Sequence, residues 1–111
     1  MAGKFEIYKD KAGEFRFRLK TNDGKIVLVS EGYTAKSGCT NGVESVKKNA
    51  PEDARYECKQ TQSGKFMFNL KATNGQVIGT SESHESAADR DTAIKWVQNG
   101  APDADVIDTT N

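Results

Sequence analysis

Gly13-Glu14-Phe15-Arg16-Phe17-Arg18-Leu19-Lys20-Thr21-Asn22-Asp23-Gly24-Lys25-Ile26 returns, 51 positions later and without a gap, as Gly64-Lys65-Phe66-Met67-Phe68-Asn69-Leu70-Lys71-Ala72-Thr73-Asn74-Gly75-Gln76-Val77. Phe15, Phe17 and Leu19 alternate with Arg16, Arg18 and Lys20, a period of two that marks a strand with one apolar face. Asp23-Gly24 and Asn74-Gly75 read as two-residue type I′ turns, in which both central residues take positive φ. Such a loop sets the register: Leu19 opposite Leu28, Phe17 opposite Ser30, and Leu70 opposite Gly79. A slip of one residue would turn every phenylalanine to water, so the register is firmly specified.

Working outward, Phe5-Glu6-Ile7-Tyr8-Lys9 forms a preceding strand, matched by Tyr56-Glu57-Cys58-Lys59-Gln60. A third strand follows each turn, and Ser30-Glu31 coincides with Ser81-Glu82. The period then lengthens. Cys39, Val43, Val46 and Ala50 make one stripe of an amphipathic helix, with Arg90, Ile94, Val97 and Ala101 as counterparts. Ser37 and Ser86 are the expected N-caps. Asn49 and Gly100, each ahead of Ala-Pro, are expected to close the helices in the left-handed C′ conformation. In the tail, Ile107 aligns with both Tyr56 and Phe5, so Asp103–Asp108 reads as the start of a third copy, one strand long, and the tail strand and the N-terminal strand are expected to complete each other's half of the sheet.

The expected fold is therefore α+β: two tandem β-β-β-α-β units forming one antiparallel sheet with two helices packed on one face. Residues 1–111 are expected to make a single domain, unit one about 3–53 and unit two about 54–108. A chain this small buries only about two-thirds of its unfolded surface, so neither unit alone would be robust.

Composition excludes several function classes. The chain carries 16 basic and 16 acidic residues, so no net field draws it to nucleic acid or an anionic membrane. No apolar run is long enough to span a bilayer, and Met1–Phe5 does not read as a signal peptide. A cytoplasmic location with reduced thiols is expected. Cys39 and Cys58 form no Cys-x-x-Cys pair, and His84 is the only histidine. Neither a metal site nor a nucleophile elbow is spelled out, so no metal, no cofactor and no enzymatic activity are expected.

Gly64–Lys71, Gly13–Lys20, Asn41–Ala50 and Arg55-Tyr56-Glu57 together resemble the YegP-like family of small bacterial tandem-repeat proteins, a domain of unknown function. The likeness covers nearly the whole chain. It implies a single sheet built by both units, with the C-terminal strands exchanged between them. Asp91–Gly100 departs from the Asn-Gly-Val-Glu-Ser helix pattern of the first copy. The family brings no activity to carry over.

Two surfaces stand out as candidates. The outward sheet face should present Arg16, Arg18, Lys20, Val27 and Val29, joined by Met67, Asn69, Lys71 and Ile78 from the second copy. Long basic side chains lying over valines make an ordinary wet face; the sharper reading is a binding surface of Arg16, Arg18, Lys20, Val27, Val29 and Lys71. Trp96, whose counterpart is Ser45, is either edge-of-core packing or a partner contact. The functional expectation is a non-enzymatic binding or interaction module with a protein partner the sequence does not name. The alternative is a single-stranded nucleic-acid binder using the basic outer face, which would lack an aromatic stacking platform. No membrane association is expected. A monomer is favoured over a homodimer, because the tandem repeat satisfies internally what a single copy would need a partner to satisfy.

Overall fold

The computed structural model describes residues 3–110. In chain order the elements are β1 (Lys4–Lys9), β2 (Phe15–Lys20), β3 (Ile26–Val29), α1 (Lys36–Asn49), β4 (Tyr56–Gln60), β5 (Phe66–Lys71), β6 (Val77–Thr80), α2 (Ala87–Gly100) and β7 (Asp105–Asp108). Short 3-10 turns, Asp53–Arg55 and Ala101–Asp103, lead into β4 and β7.

The core register is the one that alternation demands, but the turns are not. Leu19 lies opposite Leu28 and Leu70 opposite Gly79. Ser30 N donates to Phe17 O at 2.9 Å, and the Ser30 hydroxyl accepts from Phe17 N at 2.9 Å. Ser81 repeats both bonds on Phe68. The recurrent serine is thus a buried hydroxyl that completes the ladder, a role its place in the repeat did not disclose.

In the turns, Gly24 and Gly75 have φ of +87° and +86°, while no non-glycine residue among those described has positive φ. Gly24 N donates to Thr21 O at 3.0 Å and Thr21 N to Lys25 O at 2.9 Å. The loop is therefore three residues long, a type I turn closed by a left-handed glycine, and not type I′. Asp23 keeps a negative φ, avoiding the left-handed cost that type I′ imposes on any residue with a Cβ. The longer loop brings Lys20 opposite Ile26, and a bulge at Val27 restores Leu19 to Leu28. Ile78 is the equivalent extra residue in the second copy.

The strand order is β4-β5-β6-β3-β2-β1-β7, one seven-stranded sheet. It is mixed, correcting the expectation of an antiparallel sheet: β7 runs parallel to β1, from Lys4 opposite Asp105 to Ile7 opposite Asp108. The end of β6 and the start of β1 lie at the same end of the sheet. The chain re-enters there after α2, so β7 runs in the direction of β1. Val106 sits opposite Phe5 and Ile107, which repeat alignment would turn inward, sits opposite Glu6; both are exposed, at 41% and 42%. Thr109 N donates to Ile7 O at 2.9 Å and extends the attachment.

One core holds Phe5, Phe17, Leu19, Leu28, Phe68 and Leu70 from the sheet with Val43 and Val46 of α1 and Val97 of α2. The helix ends differ from expectation. Ala35, not Ser37, stands at the N-cap of α1 and makes no side-chain cap bond. Ser86 does cap α2, its hydroxyl accepting from Asp89 N at 3.1 Å. Asn49 and Gly100 are the last helical residues and neither is left-handed. The chain tightens into the following turns, with Glu52 N bonding Asn49 O at 3.1 Å, so no left-handed residue is needed. Asn49 is instead a buried polar link: its amide donates to Ser45 O at 2.8 Å and its carbonyl accepts from Arg55 Nε at 3.3 Å.

Candidate functional site: a cavity between the first hairpin and the second helix

The outer face is charged, and each of its candidate cations leans on a carboxylate, although Glu6 is shared by Arg18 and Lys20 and the face stays net positive. Arg16 Nε meets Asp10 Oδ2 at 2.6 Å, Arg18 Nε and Lys20 Nζ meet Glu6 Oε1 at 3.0 and 3.1 Å, and Lys71 Nζ meets Glu57 Oε2 at 3.1 Å. The carboxyl of Glu6 is held below the usual carboxylate range, chiefly by the hydrogen bond from Lys20, with burial opposing and Arg18 adding. Arg18 also lies over the Tyr8 ring, 4.5 Å from its centroid. Val29 is half-buried. Val27 is not on this face at all. The bulge turns it toward α2, where it is 5% exposed and packs in the core. Ile78 is buried in the same way. Alternation alone could not show this, because the extra residue breaks the period just where those two stand.

Trp96 is half-buried rather than exposed. Its six-membered ring lies against Gly3 and Gly100. A Cβ at Gly3 would stand 2.4 Å from Trp96 Cη2, so that position stays bare to admit the ring. Trp96 also lines a cavity of about 310 Å³, with Thr21, Lys25 and Val27 from the first hairpin and His84, Asp89, Thr92 and Ala93 from the loop and α2. The buried Nε2 of His84 has no hydrogen-bond partner. An unsatisfied buried polar atom is costly; the residue lines the cavity through its other atoms, while this nitrogen is closed to solvent.

The repeat shows how the cavity arises. Tyr33 occupies the position of His84, and each pairs back to a phenylalanine, Phe15 or Phe66. Tyr33 stacks on Phe17 at 6.5 Å between centroids. It lies across Gly42, where a Cβ would be 2.6 Å from its hydroxyl, and beside Gly38. In the second half the counterparts of Gly38, Gly42 and Tyr33 are Asp89, Ala93 and His84. A smaller ring and a helix with side chains leave open the place that Tyr33 fills. Sequence reading had set His84 aside as a lone histidine. The signal available was the joint change of Tyr33 and two glycines between copies.

Among the described residues no group of three or more His, Cys, Asp or Glu could hold a metal ion. Cys39 is buried, and burial pushes its thiol up to about 11, whereas Cys58 is exposed on β4. No described helix is long and apolar enough to cross a membrane.

Fold and repeat define a class: small α+β proteins made of two copies of one motif sharing a mixed sheet. The chain belongs to the family described as "Domain of unknown function (DUF1508)", whose model matches residues 10–57 and 62–108. It is 66% identical over 111 residues to the UPF0339 protein in the ptx operon 5′ region of Stutzerimonas stutzeri, covering all of both chains. It is 44% identical over 110 residues to the UPF0339 protein YegP of Escherichia coli strain K12, covering 99% of this chain and 100% of that one. Two solution NMR structures share the fold. The E. coli yegP protein of unknown function has a TM-score of 0.92 at 43% identity, covering 98% of this chain and 94% of that one. A UPF0339 protein of Shewanella oneidensis has a TM-score of 0.91 at 44% identity, covering 97% and 92%. The names of these relatives state no enzymatic activity.

Proposed function

We propose that the protein is a non-enzymatic binding module and that the cavity lined by Val27, His84 and Trp96 is where it binds. The observation that carries this reading is the asymmetry between copies: Tyr33 fills over Gly38 and Gly42 the place that His84 leaves open. At about 310 Å³ the space is at the small end of ligand pockets, fitting a small molecule or a single side chain of a protein partner. The same reading treats residues 1–111 as one domain, with units of about 3–53 and 54–108, and places it in the cytoplasm. It also treats the strand after each helix as exchanged between units; β7 lying on β1 supports this.

The test is an amide-shift screen of a fragment library by NMR. Fragments should move Thr21, Lys25, His84, Thr92 and the Trp96 indole. His84→Tyr combined with Ala93→Gly imitates the first copy and should fold yet lose those shifts. A wild-type protein that no fragment touches, or a filled variant that binds equally well, would refute the reading.

The nucleic-acid alternative has little support. Arg16, Arg18, Lys20 and Lys71 are each paired with a carboxylate, so phosphates would have to displace Asp10, Glu6 and Glu57. No binding to a random oligonucleotide at low salt is expected. Micromolar affinity that falls steeply with salt would reverse this ranking.

A further inference from the structure

Resting on that reading of the cavity, we infer that its ligand is a small zwitterion of the α-amino acid type. The lining divides by chemistry. Val27, Ala93 and Trp96 supply apolar surface, Lys25 an ammonium, Asp89 a carboxylate, and Thr21 and Thr92 hydroxyls. Neither Lys25 nor Asp89 enters an ion pair among the described residues, in contrast to Arg16, Arg18, Lys20 and Lys71 on the outer face.

Each simpler ligand leaves something unmatched. A phosphate or other polyanion would satisfy Lys25 but be repelled by Asp89. A plain amine would satisfy Asp89 but be repelled by Lys25. A neutral apolar molecule would bury on Trp96 and meet neither charge. A compact zwitterion meets all of them. Its carboxylate accepts from Lys25. Its ammonium faces Asp89, and its side chain lies against Val27, Ala93 and Trp96. The symmetry-related positions of Lys25 and Asp89 are Gln76 of the second hairpin and Gly38 of α1, neither of them charged, so this pair of charges is not repeated at the symmetric place.

The experiment is an NMR titration with the free amino acids, beside their N-acetyl and methyl-ester derivatives. Apolar and aromatic amino acids should shift Thr21, Lys25 and the Trp96 indole. Blocking either end should weaken binding about tenfold or more, the range of one charge-assisted hydrogen bond. Lys25→Met and Asp89→Asn, both at exposed positions, should each do the same without loss of fold. Derivatives that bind as well as the parent overturn the inference. So does a cavity that takes neutral or singly charged fragments but no amino acid, and that result leaves the cavity reading standing. If nothing binds there, both fall.

Discussion

Leu28 and Gly79 occupy the same position in the two copies, on the central strands β3 and β6. Leu28 is fully buried, and a Cβ built at Gly79 would lie 2.7 Å from both its Cγ and its Cδ2. One leucine therefore fills space that two symmetric leucines would contest. Gly79→Leu should cost about 1–3 kcal/mol as overpacking, and more if β6 has to shift. Leu28→Gly should cost about 2–5 kcal/mol through the cavity it leaves. The double exchange, Leu28→Gly with Gly79→Leu, returns the leucine from the opposite strand. It should cost under about 1.5 kcal/mol, as volume-conserving core swaps do. Urea unfolding of the four proteins gives the coupling, which should be at least about 1.5 kcal/mol in the direction of rescue. Additive costs, or a Gly79→Leu protein as stable as the parent, would show that the two residues do not share one space. The account of the sheet centre would then be wrong.

Removing residues 103–111 should abolish the cooperative melt, because β7 covers the outer edge of β1, which carries the buried Phe5 and Ile7; a truncated chain with an unchanged transition would show that strand to be dispensable. Asp108 is held at about 2, below its ordinary 3.8, by the Thr110 hydroxyl and the Lys36 ammonium. A depressed carboxyl stabilises fully above its unfolded value. The tail's attachment should therefore weaken as pH falls from about 4 toward 2, seen as early loss of Val106 and Ile107 methyl shifts, and Asp108→Asn should flatten that dependence. With Cys39 buried and raised to about 11 and Cys58 exposed, a disulfide reagent at pH 8 should label one thiol in the native protein and both in denaturant. Rapid labelling of both would mean that α1 opens readily.

Much of the candidate site was out of reach before the fold was known. Alternation located Phe17 and Leu19 in the core, and the basic stretch beside them drew attention to Arg16, Arg18 and Lys20. The pairing of Arg18 and Lys20 with Glu6 depends on which strands become neighbours, so it lies beyond any local pattern. Val27 was misplaced because a single bulge defeats a period of two. Thr21, Lys25 and His84 are about 60 residues apart in the chain at most, and only packing of α2 against the first hairpin brings them to one cavity.

The order of strands and helices, the inward residues Phe17, Leu19, Phe68 and Leu70, and the pairing of Leu19 with Leu28 and Leu70 with Gly79 were written in the repeat itself. Each rests on interactions within a few residues, and a duplicated motif displays them twice. The parallel seat of β7 on β1, the breaking of symmetry at Leu28 and Gly79, and the space beneath His84 were settled by the assembled molecule alone. They are contests for one volume or one strand edge between segments distant in the chain, and such contests have no outcome until those segments meet.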